Sequence, residues 1–75
     1  MLVLKTSEDY ELSVQTGNND RLYYSIINLK TGVEELGEDK NLLLPQAYDY
    51  MDQMQSHLDA RRHEEAHVVS NTLNG

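Results

Sequence analysis

The sequence predicts a small α+β domain, in which an antiparallel β-meander of two to three strands is followed by one C-terminal helix packed on one face of the sheet. Two observations support this fold class. Up to residue 37, short apolar segments with an alternating pattern are separated by turn-forming residues. After residue 41, apolar residues recur at the spacing of a helix. A chain of 75 residues has room for one domain.

Alternation of apolar and polar residues predicts the first clear strand, in which Tyr10, Leu12 and Val14 share one face. Residues 17–20 are Gly-Asn-Asn-Asp, all of which tolerate left-handed backbone, so a turn should follow. The next strand, residues 21–29, is apolar on both faces, which is typical of a central strand. Before these, residues 2–4 are apolar but too few to assign.

The end of the second strand is predicted to turn back as a hairpin. Gly32 stands where a bulged hairpin needs a positive φ. Residues 33–36 would return as an edge strand, and their two glutamates discourage pairing with another sheet. Residues 37–41 are a polar connection to the helix.

The helix is predicted from one apolar stripe, with Pro45 acceptable in its first turn. The stripe has spacings of three and four and consists of Leu44, Ala47, Tyr48, Met51, Met54 and Leu58. Because Arg61, Arg62 and Glu65 follow it, we expect the helix to leave the sheet near Leu58 and these charges to pair with each other in water. The domain would span residues 1–67, with a flexible tail at 68–75.

Composition excludes several classes of function. Without cysteine, the chain has no disulfide, thiol nucleophile or zinc ribbon, which suits a reducing compartment and predicts a cytoplasmic protein. No apolar run is long enough to span a membrane. Thirteen acidic and six basic residues give a net charge of −7, which disfavours direct binding to nucleic acid or anionic lipid.

One motif suggests metal chemistry, since residues 63–67 match the zinc-protease pattern H-E-x-x-H. A catalytic zinc needs a third protein ligand, but no His, Asp, Glu or Cys follows His67. The motif also lies beyond the apolar stripe, so packed side chains would not orient the ligands. We therefore predict no enzyme and no cofactor, with weak metal binding by His63 and His67 as a minor alternative.

The distribution of acidic residues is the most informative functional feature. On the predicted helix, Asp49, Asp52 and Asp59 form a stripe away from the apolar one. Glu34, Glu35 and Glu38 lie beside the sheet edge. Such charge keeps many small proteins in solution, but ordered carboxylates also complement a basic surface. Tyrosine is enriched at interfaces, so the predicted apolar anchors are the two residues Tyr50 and Tyr23.

These features predict a non-enzymatic module that binds another protein. They also suggest that the module acts as an inhibitor or decoy, which occupies the basic surface of a nucleic-acid-handling partner. In style, the chain is similar to small acidic proteins of mobile genetic elements, including phage, that inhibit restriction, CRISPR and repair enzymes, although no motif matches one of those families. The alternative is a structural homodimer whose acidity serves solubility. In that dimer, the uncovered sheet face or the region of Met51 and Met54 would close a shared core.

Overall fold

The computed structural model describes the backbone of residues 1–74 and the side chains of residues 1–65. Four antiparallel strands pair in chain order, and one α-helix follows them in this part of the chain. They are β1 (Leu2–Thr6), β2 (Tyr10–Thr16), β3 (Leu22–Asn28), β4 (Glu34–Leu36) and α1 (Leu44–Asn74). The predicted α+β meander with a C-terminal helix is confirmed, but the sheet has four strands rather than two to three.

The additional strand is β1, which includes the apolar run of residues 2–4 that was too short to assign, and its pairing is irregular. Its register on β2 shifts between Val3 and Lys5. A bulge of this kind interrupts the alternation of side chains between the two faces of a sheet. Leu4 consequently packs against the core, and the neighbouring Lys5 reaches the helix on the same side.

The two turns that were predicted, after β2 and after β3, have the backbone conformations that their residues favour. Asn19 and Asp20, in the turn after β2, have φ values of 57° and 60°. Gly32, in the turn after β3, has a φ of 76°. The Asn28 side chain supports that second turn, because its Oδ1 accepts hydrogen bonds from two backbone N–H groups within the turn.

The core lies between α1 and the face of the sheet that presents Leu12 and Ile26, which pair directly across β2 and β3. From the helix, Ala47 and Met51 complete the fully buried set. Half-buried apolar residues surround them: Leu4, Tyr24, Leu36, Leu42, Tyr48, Met54 and Leu58. The stripe that predicted the helix therefore forms its docking face.

The helix begins where its first turn can be capped. The side chain of Gln46 reaches back, and its Oε1 accepts a hydrogen bond of 2.9 Å from the backbone N–H of Leu43. Pro45 occupies the first turn, where its lack of an N–H leaves no helical hydrogen bond unmade, as predicted. No helix in the described part of the chain is long and apolar enough to cross a membrane.

The prediction that the helix leaves the sheet near Leu58 is wrong, because Arg62 contacts the sheet side of the molecule. Its Nη1 and Nη2 each lie 2.6 Å from a carboxylate oxygen of Asp9, rather than pairing with Glu65 in water. The contact adds one helical turn to the docked segment. The predicted tail, residues 68–75, and the domain boundary before it depend on side chains outside the described residues and stay predictions.

Candidate functional site

The residues predicted for recognition do not form one surface. Asp49, Tyr50, Asp52 and Asp59 lie on α1, which covers one face of the sheet. Tyr23 lies on the opposite face, because it alternates along β3 with the core residues Tyr24 and Ile26. The acids of β4 and of the connection to the helix have contacts of their own.

Glu34 is held by hydrogen bonds on the uncovered face of the sheet. Its Oε2 accepts hydrogen bonds from the Tyr23 hydroxyl at 3.1 Å and from Ser25 Oγ at 2.7 Å. The Ser25 side chain is fully buried. Gly37 leaves space for the Glu34 carboxylate, since a Cβ at that position would collide with it. Burial and then the Glu34 hydrogen bond raise the pKa of Tyr23.

Glu38 stabilises the turn between β2 and β3. Its carboxylate accepts a hydrogen bond of 3.0 Å from the backbone N–H of Asn18 and lies against Gly17, where a Cβ would collide with it. Glu35 is exposed on β4 and lies near the buried Tyr10. Burial raises the pKa of the Tyr10 phenol, and the Glu35 carboxylate adds to that rise.

Asp52 is neutralised by a cation of the same chain. Lys5 Nζ lies 2.7 Å from Asp52 Oδ1 and 5.7 Å from the centre of the Tyr48 ring. The lysine thus combines an ion pair with a cation–π contact, and Tyr48 and Asp52 are one helical turn apart. This arrangement connects β1 to the flank of α1.

Asp9 forms a second connection between sheet and helix, and its side chain is fully buried. In addition to Arg62, the amide of Gln55 donates from Nε2 to Asp9 Oδ2 at 2.7 Å. The same amide accepts, through Oε1, the backbone N–H of Asp9 at 2.9 Å and Ser7 Oγ at 2.7 Å. Hydrogen bonds from Arg62 and Gln55 lower the pKa of Asp9 from 3.8 to about 2.

This buried cluster was missed by sequence reasoning, although the sequence contains a signal for it. Gln55 and Arg62 continue the docking stripe at spacings of four from Met51 and Leu58, which places them on the same helix face. The charge of Arg62 and of its neighbours Arg61 and Glu65 suggested that docking had ended at Leu58. Polar residues on a docking face can instead indicate a buried partner of opposite charge.

Asp59 lies at the edge of this cluster. Its Oδ1 accepts a hydrogen bond from Gln55 Nε2 at 3.1 Å and is 4.0 Å from Arg62 Nη1. Among the described side chains, Glu8, Asp9 and Asp59 form the one group of three that metal-ligand spacing brings together. The guanidinium of Arg62 contacts these carboxylates, 3.8 Å from Glu8 Oε1 and closer to Asp9, and supplies the positive charge there.

Of the predicted histidine pair, the structure describes the side chain of His63. His63 is exposed on the helix, and the following Glu64 and Glu65 are exposed as well. The side chain of His67 lies outside the described residues. The minor alternative of metal binding by this pair therefore stays a prediction.

Asp49 lies on the outward side of α1, about 160° around the helix from Met51, and Tyr50 lies about 100° from Met51 at the edge of that side. Both are exposed, Tyr50 by 44%. With Gln46 and Gln53 they line a shallow groove of about 310 Å³, called here the outer groove. Among the described side chains, Asp49 has no ion pair or hydrogen bond, unlike Asp52 and Asp59.

Comparison with known proteins assigns no function to the chain, so the exposure and contacts of the predicted residues are the basis for a proposal. No protein-family model matches the chain, and no curated protein or solved structure is significantly similar to it. Of the eight predicted recognition residues, Asp49, Tyr50 and Glu35 are exposed without a described hydrogen bond or ion pair, but Glu35 interacts with the phenol of the buried Tyr10. Asp49 and Tyr50 have no such interaction within the described residues. They are therefore the strongest candidates for contact with another molecule.

Proposed function

We propose that this protein is a non-enzymatic interaction module that binds a basic surface of another protein through the outward side of α1. One observation supports the proposal most strongly. From Leu44 to Ala60 the helix carries three aspartates and no lysine or arginine. Lys5 pairs with Asp52 and Arg62 approaches Asp59, so Asp49 is the helix aspartate without a described cation partner. The docked helix presents this charge at a fixed position, which favours charge complementarity with a partner.

The distribution of cations strengthens this proposal. The described ion pairs use two of the six basic residues: Lys5 lies at the flank of α1 against Asp52, and Arg62 lies on the docking face against Asp9. Neither reaches Asp49. Among the side chains that the structure describes, the charge of Asp49 on the outward side is therefore not neutralised, and a basic partner would form an ionic contact there.

The partner that we propose is a nucleic-acid-handling protein, on which this domain acts as a decoy. Proteins that bind phosphate backbones present lysine and arginine on an accessible surface. A net charge of −7 on a small domain would be attracted by the same electrostatic field that attracts nucleic acid. Binding at that surface would compete with nucleic acid and inhibit the partner.

An affinity capture with competitive elution tests this function. The tagged protein is incubated with lysate of its native host, washed, and eluted with duplex DNA, and the eluate is identified by mass spectrometry. We expect a basic nucleic-acid-binding protein that DNA releases, because both ligands occupy one surface. Recovery of the bait with no protein that DNA displaces would contradict the decoy function.

A structural homodimer is the second candidate, and the exposed apolar start of β1 favours it. Met1, Leu2 and Val3 are 82%, 62% and 44% exposed at an edge of the sheet. Met51 takes no part in such an interface, since it is fully buried within its own chain. Light scattering separates the two candidates: a mass near 8.6 kDa at micromolar concentration indicates a monomer, and twice that mass supports the dimer.

A further inference from the structure

We propose that the outer groove, lined by Gln46, Asp49, Tyr50 and Gln53, binds an arginine side chain of the partner protein. This inference rests on the proposed function and specifies which chemical group of the partner is recognised. The four residues follow one another at i, i+3, i+4 and i+7, so they form a contiguous patch on the outward side of α1. All four are exposed.

The chain itself shows how such a patch binds a cation. On the flank of the same helix, Lys5 lies between the carboxylate of Asp52 and the ring of Tyr48. The outer groove has the same two kinds of group, a carboxylate and a tyrosine ring, but no described basic side chain lines it. A cation from another molecule can therefore complete the outer groove as Lys5 completes the flank.

The groups around the groove favour arginine over lysine. Asp49 and Tyr50 are adjacent in sequence, so their side chains diverge by about 100° around the helix, and a wide cation is needed to contact both. A guanidinium is planar, stacks on aromatic rings and carries five N–H donors. The amide oxygens of Gln46 and Gln53 can accept from those donors, and Gln46 Oε1 retains a lone pair beside its bond to Leu43.

The contrast with the other helix carboxylates makes the inference specific. A partner's arginine at Asp52 would have to displace Lys5, and one at Asp59 would compete with Arg62 and Gln55. At Asp49 no described group has to move. The groove is also the part of the acidic stripe that includes an exposed aromatic side chain, since Tyr48 is half-buried under Lys5.

The test is a titration of the full ¹⁵N-labelled chain with hexa-arginine peptide at low salt, followed by NMR. We expect saturable shifts of the Gln46 and Gln53 side-chain amides, and weaker binding of hexa-lysine. Asp49→Asn and Tyr50→Leu should each reduce affinity for hexa-arginine roughly threefold to tenfold, because one ionic or cation–π contact is lost. Both positions are exposed, so circular dichroism should show the parental fold.

Asp52→Asn is the matched control, because it removes the same charge from the same helix at a carboxylate that Lys5 already neutralises. Its affinity for hexa-arginine should stay within about twofold of the parent. If Asp49→Asn and Tyr50→Leu bind as the parent does, the groove is not the arginine site, although an acidic binding surface elsewhere would remain. If hexa-arginine shows no saturable binding at low salt, both the groove and the proposed acidic recognition surface are wrong.

Discussion

Replacing Met51 by alanine should destabilise the fold strongly, because this side chain joins the helix to the sheet. Met51 is fully buried among the core residues, with Leu12 and Ile26 on the sheet side. The substitution removes three heavy atoms and leaves a cavity. The outward side of α1, which carries the proposed binding residues, depends on this docking for its position.

The expected cost follows from burial and from the small size of the core. Methionine-to-alanine changes in cores cost about 2–5 kcal/mol. The helix covers one face of a four-stranded sheet and its flanks are open, so neighbours can relax into part of the cavity, which favours the lower half of that range, about 2–3 kcal/mol. A domain of 75 residues has a total stability of about 4–11 kcal/mol. The melting temperature should therefore fall by about 10–20 °C.

Urea denaturation followed by circular dichroism measures this cost directly. Leu43→Ala is the control, because Leu43 is 66% exposed and its backbone hydrogen bond to Gln46 survives the change. The control should stay within about 0.5 kcal/mol of the parent. A Met51→Ala protein that is equally close to the parent would refute docking of the helix through Met51.

Three further predictions concern the connections within the fold. Because the pKa of Asp9 is lowered to about 2, its contribution to stability is complete above about pH 4 and is lost as the pH falls toward 2. Arg62→Gln should therefore flatten the acid side of a plot of melting temperature against pH. Gly32→Ala should cost about 1 kcal/mol in urea denaturation, because φ is 76° and no neighbouring atom would contact the new methyl group; a parental midpoint would contradict this. Ser25→Ala should cost about 1 kcal/mol through the lost hydrogen bond to Glu34, and an unchanged melting temperature would show that this bond contributes nothing.

Much of the fold could be predicted from local patterns. The alternation in β2, the turn residues Asn19 and Gly32, and the stripe through Met51 each specify one element, and all were confirmed. The strand that was not predicted, β1, pairs with its neighbour β2 in an interrupted register, and the extended docking depends on a contact between distant segments. Neither the bulge in β1 nor the contact between Asp9 and Arg62, 53 residues apart, has a local signature.

The candidate site was predictable by residue type but not by arrangement. Sequence spacing placed Asp49, Asp52 and Asp59 in one stripe, yet the cation partner of Asp52, Lys5, comes from β1, and no local pattern shows where β1 meets the helix. Arg62, the cation near Asp59, is three residues further along the same helix. Glu34 was likewise an exposed acid by pattern, and the structure shows it bonded to Tyr23 and Ser25. Intramolecular pairing thus distinguishes structural carboxylates from those available to a partner.

The most direct test of the proposed recognition surface compares capture by charge-reversed proteins. Tagged parent, Asp49→Lys and Asp39→Lys proteins are incubated with the same host lysate, and the amount of each basic protein retained is measured as salt increases. Both variants change the net charge equally at exposed positions, but Asp39 lies in the connection before the helix. We expect Asp49→Lys to lose the captured protein and Asp39→Lys to retain it; equal retention by all three proteins would contradict recognition through the outward side of α1.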